Sequence, residues 1–110
     1  MKTTVIDKIK PVLDEIKEEF TKIFTVHIHK IILFGSYARL EAKSDSDIDI
    51  LLILDEVDDL YSIRKKYINS MTQISLKYDT VITIIPMSKY DFENKKMPLL
   101  LIVHKEGISL

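Results

Sequence analysis

Cysteine is absent from this chain of 110 residues, and glycine occurs only twice. Without cysteine the chain forms no disulfide, no thiolate nucleophile and no cysteine-ligated zinc site, and the absence fits a reducing compartment. Long apolar runs are also missing: residues 50–54 and 99–103 are short beside the roughly 20 apolar residues of a membrane-spanning helix. The N-terminus has no hydrophobic region of the signal-peptide type. We therefore expect a cytoplasmic protein that is not inserted in a membrane.

Length and charge narrow the class further. A single hydrophobic core typically serves about 50–200 residues, so residues 1–110 are expected to form one domain. The net charge of −1 lacks the basic excess of a dedicated nucleic-acid binder, in which phosphate contacts dominate affinity. A basic cluster at 64–66 lies close to the acidic pair Asp58 and Asp59, and we interpret it as a solvated helix face. Direct nucleic-acid binding is not expected.

Hydrophobic periodicity predicts alternating helices and strands. Apolar residues at spacings of three and four indicate helices, and runs rich in β-branched residues indicate strands. Pro11 either kinks the first helix or splits it in two, and Pro86 ends the third strand. Residues 99–103 form either a helical turn or a fourth strand. The predicted helices span 4–24, 37–42, 60–77 and 89–94, and the predicted strands span 26–34, 48–54 and 78–85.

This order of elements predicts an α/β (α+β) domain in which a small mixed β-sheet of three to four strands packs against helices. Two short stretches at the ends of the first and second strands stand out within it. Gly35 and Ser36 directly follow the first strand, and Asp47, Ile48 and Asp49 open the second.

The aspartate pair has the chemistry of a metal site. Successive strand side chains point to opposite faces, so Asp47 and Asp49 share a face about 6.6 Å apart, while Ile48 points into the core. Two carboxylates this close repel each other unless a cation lies between them. Hard oxygen ligands suit Mg²⁺ or Mn²⁺. Asp79, the one acidic residue inside the third predicted strand, is the best candidate for a third ligand.

The glycine–serine pair has the chemistry of a phosphate site. Glycine lets the backbone approach a ligand closely, and the Ser36 hydroxyl and the amides that follow can donate to phosphate oxygens. A magnesium site on carboxylates commonly keeps positions open for substrate phosphates. Two ions about 3.5–4 Å apart would hold both the attacking and the leaving oxygen of an in-line displacement. The two stretches together predict a site for a nucleoside triphosphate and its metal ions.

Gly35-Ser36, ten residues and Asp47-Ile48-Asp49 resemble the signature of the DNA polymerase beta-like nucleotidyltransferase superfamily. The fuller string Gly-Ser-Tyr-Ala-Arg … Ser-Asp-Ser-Asp-Ile-Asp-Ile-Leu is similar to the minimal nucleotidyltransferases, the MNT group. Members of that group pair with HEPN-domain proteins as toxin–antitoxin systems. The chain departs from the family at Leu40, where glycine is usual.

The resemblance implies the nucleotidyltransferase fold and a Mg²⁺-dependent transfer of AMP from ATP to a hydroxyl group of a HEPN ribonuclease toxin. The acceptor is expected to be tyrosine, and the transfer would make this chain the antitoxin. Two alternatives stay open. One is an antitoxin that neutralises its partner by contact alone, and the other is a nucleotidyltransferase that modifies a small molecule or RNA.

The resemblance also implies which residues act. Asp79 would bind the catalytic metal and could help to deprotonate the acceptor hydroxyl. Arg39 and Lys43 could neutralise phosphate charge, or they could form surface ion pairs. The implied nucleotide-binding residues are Gly35, Ser36, Arg39 and Lys43, and the implied catalytic metal ligands are Asp47, Asp49 and Asp79.

Overall fold

A four-stranded mixed sheet carries helices on both faces in the computed structural model, which describes residues 5–43 and 45–110. The strand order is β3-β2-β1-β4, with β2 parallel to β3 and β1 antiparallel to both β2 and β4. This confirms the predicted small mixed sheet. The helices are α1 (Val5–Phe24), α2 (Leu60–Tyr78), α3 (Lys89–Asn94) and α4 (Pro98–Glu106), and the strands are β1 (Ile28–Phe34), β2 (Ile48–Leu54), β3 (Ile82–Ser88) and β4 (Ile108–Ser109).

Strand β2 lies at the centre of the packing because both of its faces are buried. Ile48, Ile50 and Leu52 face the core formed with α1 and α2, while Leu51 and Ile53 face a second core formed with α3 and α4. Each of these side chains is fully buried. Burying one such side chain stabilises the fold by about 1.5–3 kcal/mol. The continuous apolar run after Asp49 is therefore the signal of a strand covered on two sides.

Helix α1 passes Pro11 without interruption, so the predicted alternative of two separate helices is wrong. The predicted start at residue 4 lies outside the described residues. Apolar side chains on one face of α1, including Ile16 and Phe20, are fully buried against the sheet. This packing offsets the roughly 3 kcal/mol cost of a proline inside a helix.

The third strand lies further along the chain than predicted. Tyr78 continues α2, Asp79 turns in the left-handed region, and β3 begins only at Ile82. Pro86, predicted to end the strand, lies inside it. Strand β3 pairs only with β2, and an edge strand tolerates a proline because one side of its backbone needs no ladder hydrogen bonds.

The C-terminal stretch forms a helix and then a strand. Residues 99–103 lie within α4, which agrees with the helical alternative, and the two residues of β4 pair with Ile32 and Leu33 of β1. Strand β4 was not predicted, because two residues are too short to show a period. Among residues 5–43 and 45–110, no helix has the length and apolarity that a membrane span requires.

The loop after β1 is a turn and not the predicted helix over 37–42. Backbone N–H groups of Arg39, Leu40 and Glu41 donate to carbonyls at 35–37, over distances of 2.9–3.1 Å. Tyr37 anchors the turn because its side chain is buried in the first core. Leu40 has a φ of 61°, which takes the backbone off the helical path.

Leu40 occupies a conformation that favours glycine. A left-handed residue with a Cβ costs about 1–2 kcal/mol, and the Leu40 side chain, 59% exposed, gains little packing in return. The departure from the family glycine therefore has a physical consequence: this chain carries strain in the turn between its two motifs.

Replacing Leu40 with glycine should stabilise the protein. The relief of left-handed strain exceeds the backbone entropy that glycine adds to the unfolded chain, so we expect the free energy of unfolding to rise by about 0.5–1 kcal/mol. Urea denaturation of Leu40→Gly measures the change. Leu40→Ala is the matched control, because it removes the side chain but keeps the Cβ. An equal gain in both variants would show that backbone strain is not the cause.

Glu15 links α1 to α2 and makes stability depend on pH. The hydrogen bond from the Tyr78 hydroxyl, and then that from Lys77, lower the pKa of Glu15 below its ordinary 4.5. A lowered folded-state pKa stabilises the protein above the unfolded pKa, and this contribution is lost as pH falls through the folded value. Glu15→Gln should therefore unfold more easily than wild type near neutral pH, and the difference should shrink well below pH 4.5.

Urea denaturation near neutral pH and at a pH well below 4.5 measures the difference in the free energy of unfolding between Glu15→Gln and wild type. Glu18→Gln is the control, because Glu18 pairs with Lys22 of the same helix, at 3.2 Å, and this pair does not link two helices. A Glu15→Gln difference that does not change with pH would contradict the assignment.

Candidate active site

The Gly-Ser and Asp-Ile-Asp motifs meet at one end of the two central strands, where β1 ends and β2 begins. The antiparallel register sets Phe34, the last residue of β1, opposite Asp49 near the start of β2. Gly35 follows with a φ of 78°, and a Cβ built on it would overlap Asp49 Oδ2 and lie 3.2 Å from Asp49 Cγ. Both the backbone conformation and the space therefore require glycine. The structure brings Gly35 against the carboxylate with which the sequence pairs it.

Ser36 and the turn that follows lie next to this contact. The Ser36 carbonyl accepts a hydrogen bond from the Glu41 N–H at 2.9 Å, and the Gly35 carbonyl accepts one from the Arg39 N–H at 3.1 Å. These bonds hold the turn in place beside Asp49. Short turns of this kind present backbone N–H groups and a serine hydroxyl to an anion.

Asp47 and Asp49 differ in environment although they lie two residues apart. Asp47 precedes β2 and is exposed, whereas Asp49 is the second residue of β2 and is half-buried. Burial raises the pKa of Asp49, the negative charge of Asp47 raises it further, and Arg39 opposes the change. The pair is therefore a site in which negative charge is only partly compensated, and a cation would relieve it.

The donor set matches a metal that is held jointly with a substrate. Mg²⁺ is commonly bound by one or two carboxylates together with substrate phosphates, rather than by a cage of protein ligands. Asp47 and Asp49 supply two carboxylates beside a loop that could hold phosphates. In residues 5–43 and 45–110 there is no group of three or more histidine, cysteine, aspartate or glutamate side chains suited to a metal. The residues therefore fit a metal ion that arrives with a nucleotide.

Asp79 is not in the position that the sequence predicts. It caps α2 with φ 50° and ψ 52°, it is exposed, and it lies three residues before β3 begins. It forms no three-acid group with Asp47 and Asp49. On the β3 side of β2, the residue that pairs with Asp49 is Thr83. The predicted position of Asp79 inside the third strand is wrong, because α2 extends to Tyr78 and the strand begins only at Ile82.

Arg39 and Lys43, the two predicted phosphate cations, differ in their surroundings. Arg39 Nε lies 3.1 Å from Glu41 Oε2, and Arg39 Nη1 lies 3.8 Å from Glu106 Oε2. Arg39 thus forms ion pairs and also acts on Asp49 through its charge. Lys43 is exposed, and its backbone N–H donates to Ser46 Oγ at 2.8 Å. Residue 44, next to it, lies outside the described residues.

Glu106 is the neighbour of this site that sequence reasoning did not find. It ends α4, and its Oε2 atom is buried without a hydrogen-bond partner in the described structure. The sequence feature that could have pointed to Glu106 is the stretch Lys105-Glu106-Gly107-Ile108, in which charged residues and a glycine follow an apolar segment. That stretch alone does not show that Glu106 reaches Arg39.

A family model and a relative match this chain. Residues 13–103 match the model described as Nucleotidyltransferase domain. A Methanocaldococcus jannaschii protein, provisionally named a protein adenylyltransferase, is 34% identical over 82 residues, which are 74% of this chain and 82% of that protein.

Solved structures share the fold at lower identity. A toxin–antitoxin crystal structure with AMP-PNP aligns with a TM-score of 0.63 at 18% identity and covers 87% of this chain and 69% of the other. The structure of a tri-AMPylated Shewanella oneidensis HEPN toxin in complex with MNT antitoxin aligns with a TM-score of 0.59 at 16% identity, over 91% and 69%. At these identities the likeness shows the fold. The family match over residues 13–103 shows that this chain belongs to the nucleotidyltransferase domain family.

Proposed function

We propose that this chain transfers AMP from ATP to a hydroxyl group, expected to be a tyrosine, of a HEPN-domain ribonuclease toxin and thereby acts as its antitoxin. The observation that carries the proposal is the contact of the Gly35 backbone with the Asp49 carboxylate, beside Asp47. This contact brings the loop that would bind phosphate next to the two carboxylates that would bind a metal ion. The name of the M. jannaschii relative and the AMPylated toxin of the S. oneidensis complex support the activity and the partner.

The donor half of the reaction uses residues of the 35–49 segment. Backbone N–H groups after Gly35 and the Ser36 hydroxyl would bind the triphosphate, and Arg39 and Lys43 would offset its negative charge. Asp47 and Asp49 would hold Mg²⁺, with Mn²⁺ as the alternative and two ions as the expected number. The metal supplies charge neutralisation at the phosphoryl oxygens.

The reaction itself is an in-line displacement at the α-phosphorus. The acceptor oxygen forms a bond to this phosphorus, the bond from phosphorus to the bridging oxygen of the β-phosphate breaks, and pyrophosphate leaves. The acceptor hydroxyl loses its proton in the same overall reaction. The residues of this chain bind and orient ATP, and the acceptor must approach from the side opposite the leaving group.

The acceptor would be presented by the partner protein. A cavity of about 830 Å³ is lined by residues of α2 and β3, and one of about 630 Å³ is lined by α2, the loop 55–59 and the ends of α1 and β2; neither is lined by a residue of the 35–49 segment. Neither of these two cavities offers a small-molecule acceptor a place beside the candidate site. We also propose that residues 1–110 act as one catalytic domain and that the reaction takes place in the cytoplasm, since it consumes ATP.

A non-catalytic antitoxin is the second candidate, and exposed apolar side chains favour it. Tyr61 and Leu76 on α2 and Leu101 on α4 are 70–77% exposed. Side chains of this kind could bind a partner by contact alone. The half-buried carboxylate of Asp49 has no role in such contact, and for this reason we prefer the catalytic function.

Intact-mass measurement separates these functions. The protein is incubated with Mg²⁺, labelled ATP and the HEPN protein encoded beside it. We expect the HEPN protein to gain the mass of one or more AMP groups, and Asp47→Ala or Asp49→Ala to reduce the rate by at least about 100-fold. Asp79→Asn is the matched control, and its rate should stay within about twofold of wild type, because Asp79 is exposed and outside the site.

Other outcomes have clear meanings. Toxin neutralisation by the Asp47 and Asp49 variants without any mass gain would establish the contact antitoxin. Label that appears only in RNA or in small molecules would assign the chain a different acceptor. A loss of activity in Asp79→Asn equal to that in Asp49→Ala would contradict the site as described.

The Gly35–Asp49 contact makes a separate prediction for nucleotide binding. Gly35→Ala should weaken binding of a fluorescent ATP analogue and lower the free energy of unfolding by more than about 2 kcal/mol, because strain and overlap act together. Asp49→Ala removes the overlapping Oδ2 atom and leaves only the Cβ, which would lie 3.3 Å away, so in this background the same substitution should cost less, about the 1–2 kcal/mol of a positive φ. Equal costs in both backgrounds, measured by urea denaturation, would show that the contact is not close.

A further inference from the structure

Glu106 reaches the candidate site from the far end of the chain. It ends α4, and two residues later Ile108 pairs with Leu33 near the end of β1. Gly107 makes the connection possible, because a Cβ there would lie 2.5 Å from the Val103 carbonyl oxygen and 2.7 Å from Ile32 Cγ2. The close passage of this backbone places the Glu106 carboxylate beside the loop that begins at Gly35.

Arg39 is the charged neighbour that the described residues show beside the buried Oε2 atom of Glu106. This Oε2 atom accepts no hydrogen bond in the described structure, and it lies 3.8 Å from Arg39 Nη1. An ionised oxygen removed from water without a hydrogen bond is costly unless a nearby charge compensates it. The Arg39 guanidinium is the cation that the structure shows at this distance.

Arg39 forms ion pairs with two glutamates that differ in exposure and in how firmly they are anchored. Glu41 lies two residues further along the same turn, its side chain is 66% exposed, and its pair with Arg39 is a solvated surface pair. Glu106 comes from α4, and its side chain is 32% exposed. The exposed partner can move with the turn, whereas the partner on α4 is tied to the sheet through β4.

We propose that Glu106 is a positioning residue, which holds the Arg39 guanidinium near Asp49 so that it meets the phosphates of ATP. This inference rests on the proposed function. Glu106 does not touch the nucleotide and acts through Arg39. Arg39 already acts on Asp49 through its charge, so the guanidinium lies within electrostatic reach of the carboxylate pair. An anchored guanidinium loses less side-chain freedom when it binds phosphate than a free one does.

The test measures binding of a fluorescent ATP analogue with Mg²⁺ to the full chain. Glu106→Gln keeps the shape and removes the charge, and we expect the Kd of the analogue to rise about fivefold to tenfold. Glu41→Gln is the matched control and should change the Kd by less than about twofold. In an Arg39→Ala background, Glu106→Gln should have no further effect, because its action passes through Arg39.

The kinetics provide an independent readout. With the HEPN acceptor saturating, Glu106→Gln should raise the KM for ATP by a similar factor and leave kcat within about twofold of wild type. Glu106→Asp keeps the charge, and its Kd should lie closer to that of wild type than the Kd of Glu106→Gln. If Glu106→Gln lowers the thermal midpoint, the comparison between Glu106→Asp and the Arg39→Ala background still decides the role.

Several results would overturn the proposal. These are an unchanged Kd in Glu106→Gln, an equal rise in Glu41→Gln, and a rise that persists undiminished in the Arg39→Ala background, which would mark a purely structural role. Failure of the proposed function is distinguishable, because it would leave the HEPN protein without added mass while the wild-type chain still bound ATP. A wild-type chain that binds no ATP analogue would overturn both.

Discussion

The candidate site depends on the close approach of the Gly35 backbone to the Asp49 carboxylate. The approach requires a left-handed glycine at the end of β1 and a strand register that sets Phe34 opposite Asp49. It leaves no room for a Cβ. Because the two segments touch, a loop suited to phosphate and a pair of carboxylates suited to a metal lie together at one end of the two central strands.

Strand β2 keeps that contact in place because it is covered on both faces. Residues 50–54 pack alternately against α1 and α2 on one side and α3 and α4 on the other. A side chain at the end of a strand that is buried in this way has little freedom to move, and rigid elements hold functional groups more accurately than loops do. The C-terminal segment contributes as well, since β4 pairs with β1 and brings Glu106 to Arg39.

The sequence predicted most of the elements, and its errors have definite causes. The bounds of β2 and of α3 agree with the structure, because each depends on neighbouring residues. The prediction ended β3 before Pro86, because proline usually interrupts a strand. Within a strand, proline is tolerated only at the edge of a sheet. The position of β3 at the edge follows from strand order, which hydrophobic periodicity does not encode.

By itself the sequence determined the chemistry of the 35–49 segment: a glycine and a serine after one strand, and two carboxylates at the start of the next. These features are local, and turn preferences and the two-residue period of a strand are enough to read them. Only the tertiary structure decided which distant residues join them. It places Thr83 and not Asp79 across from Asp49, and it brings Glu106 to Arg39. Which distant residues meet depends on strand register and on helix length, and many residues together set each of these. A local sequence pattern is therefore not enough to predict such pairings.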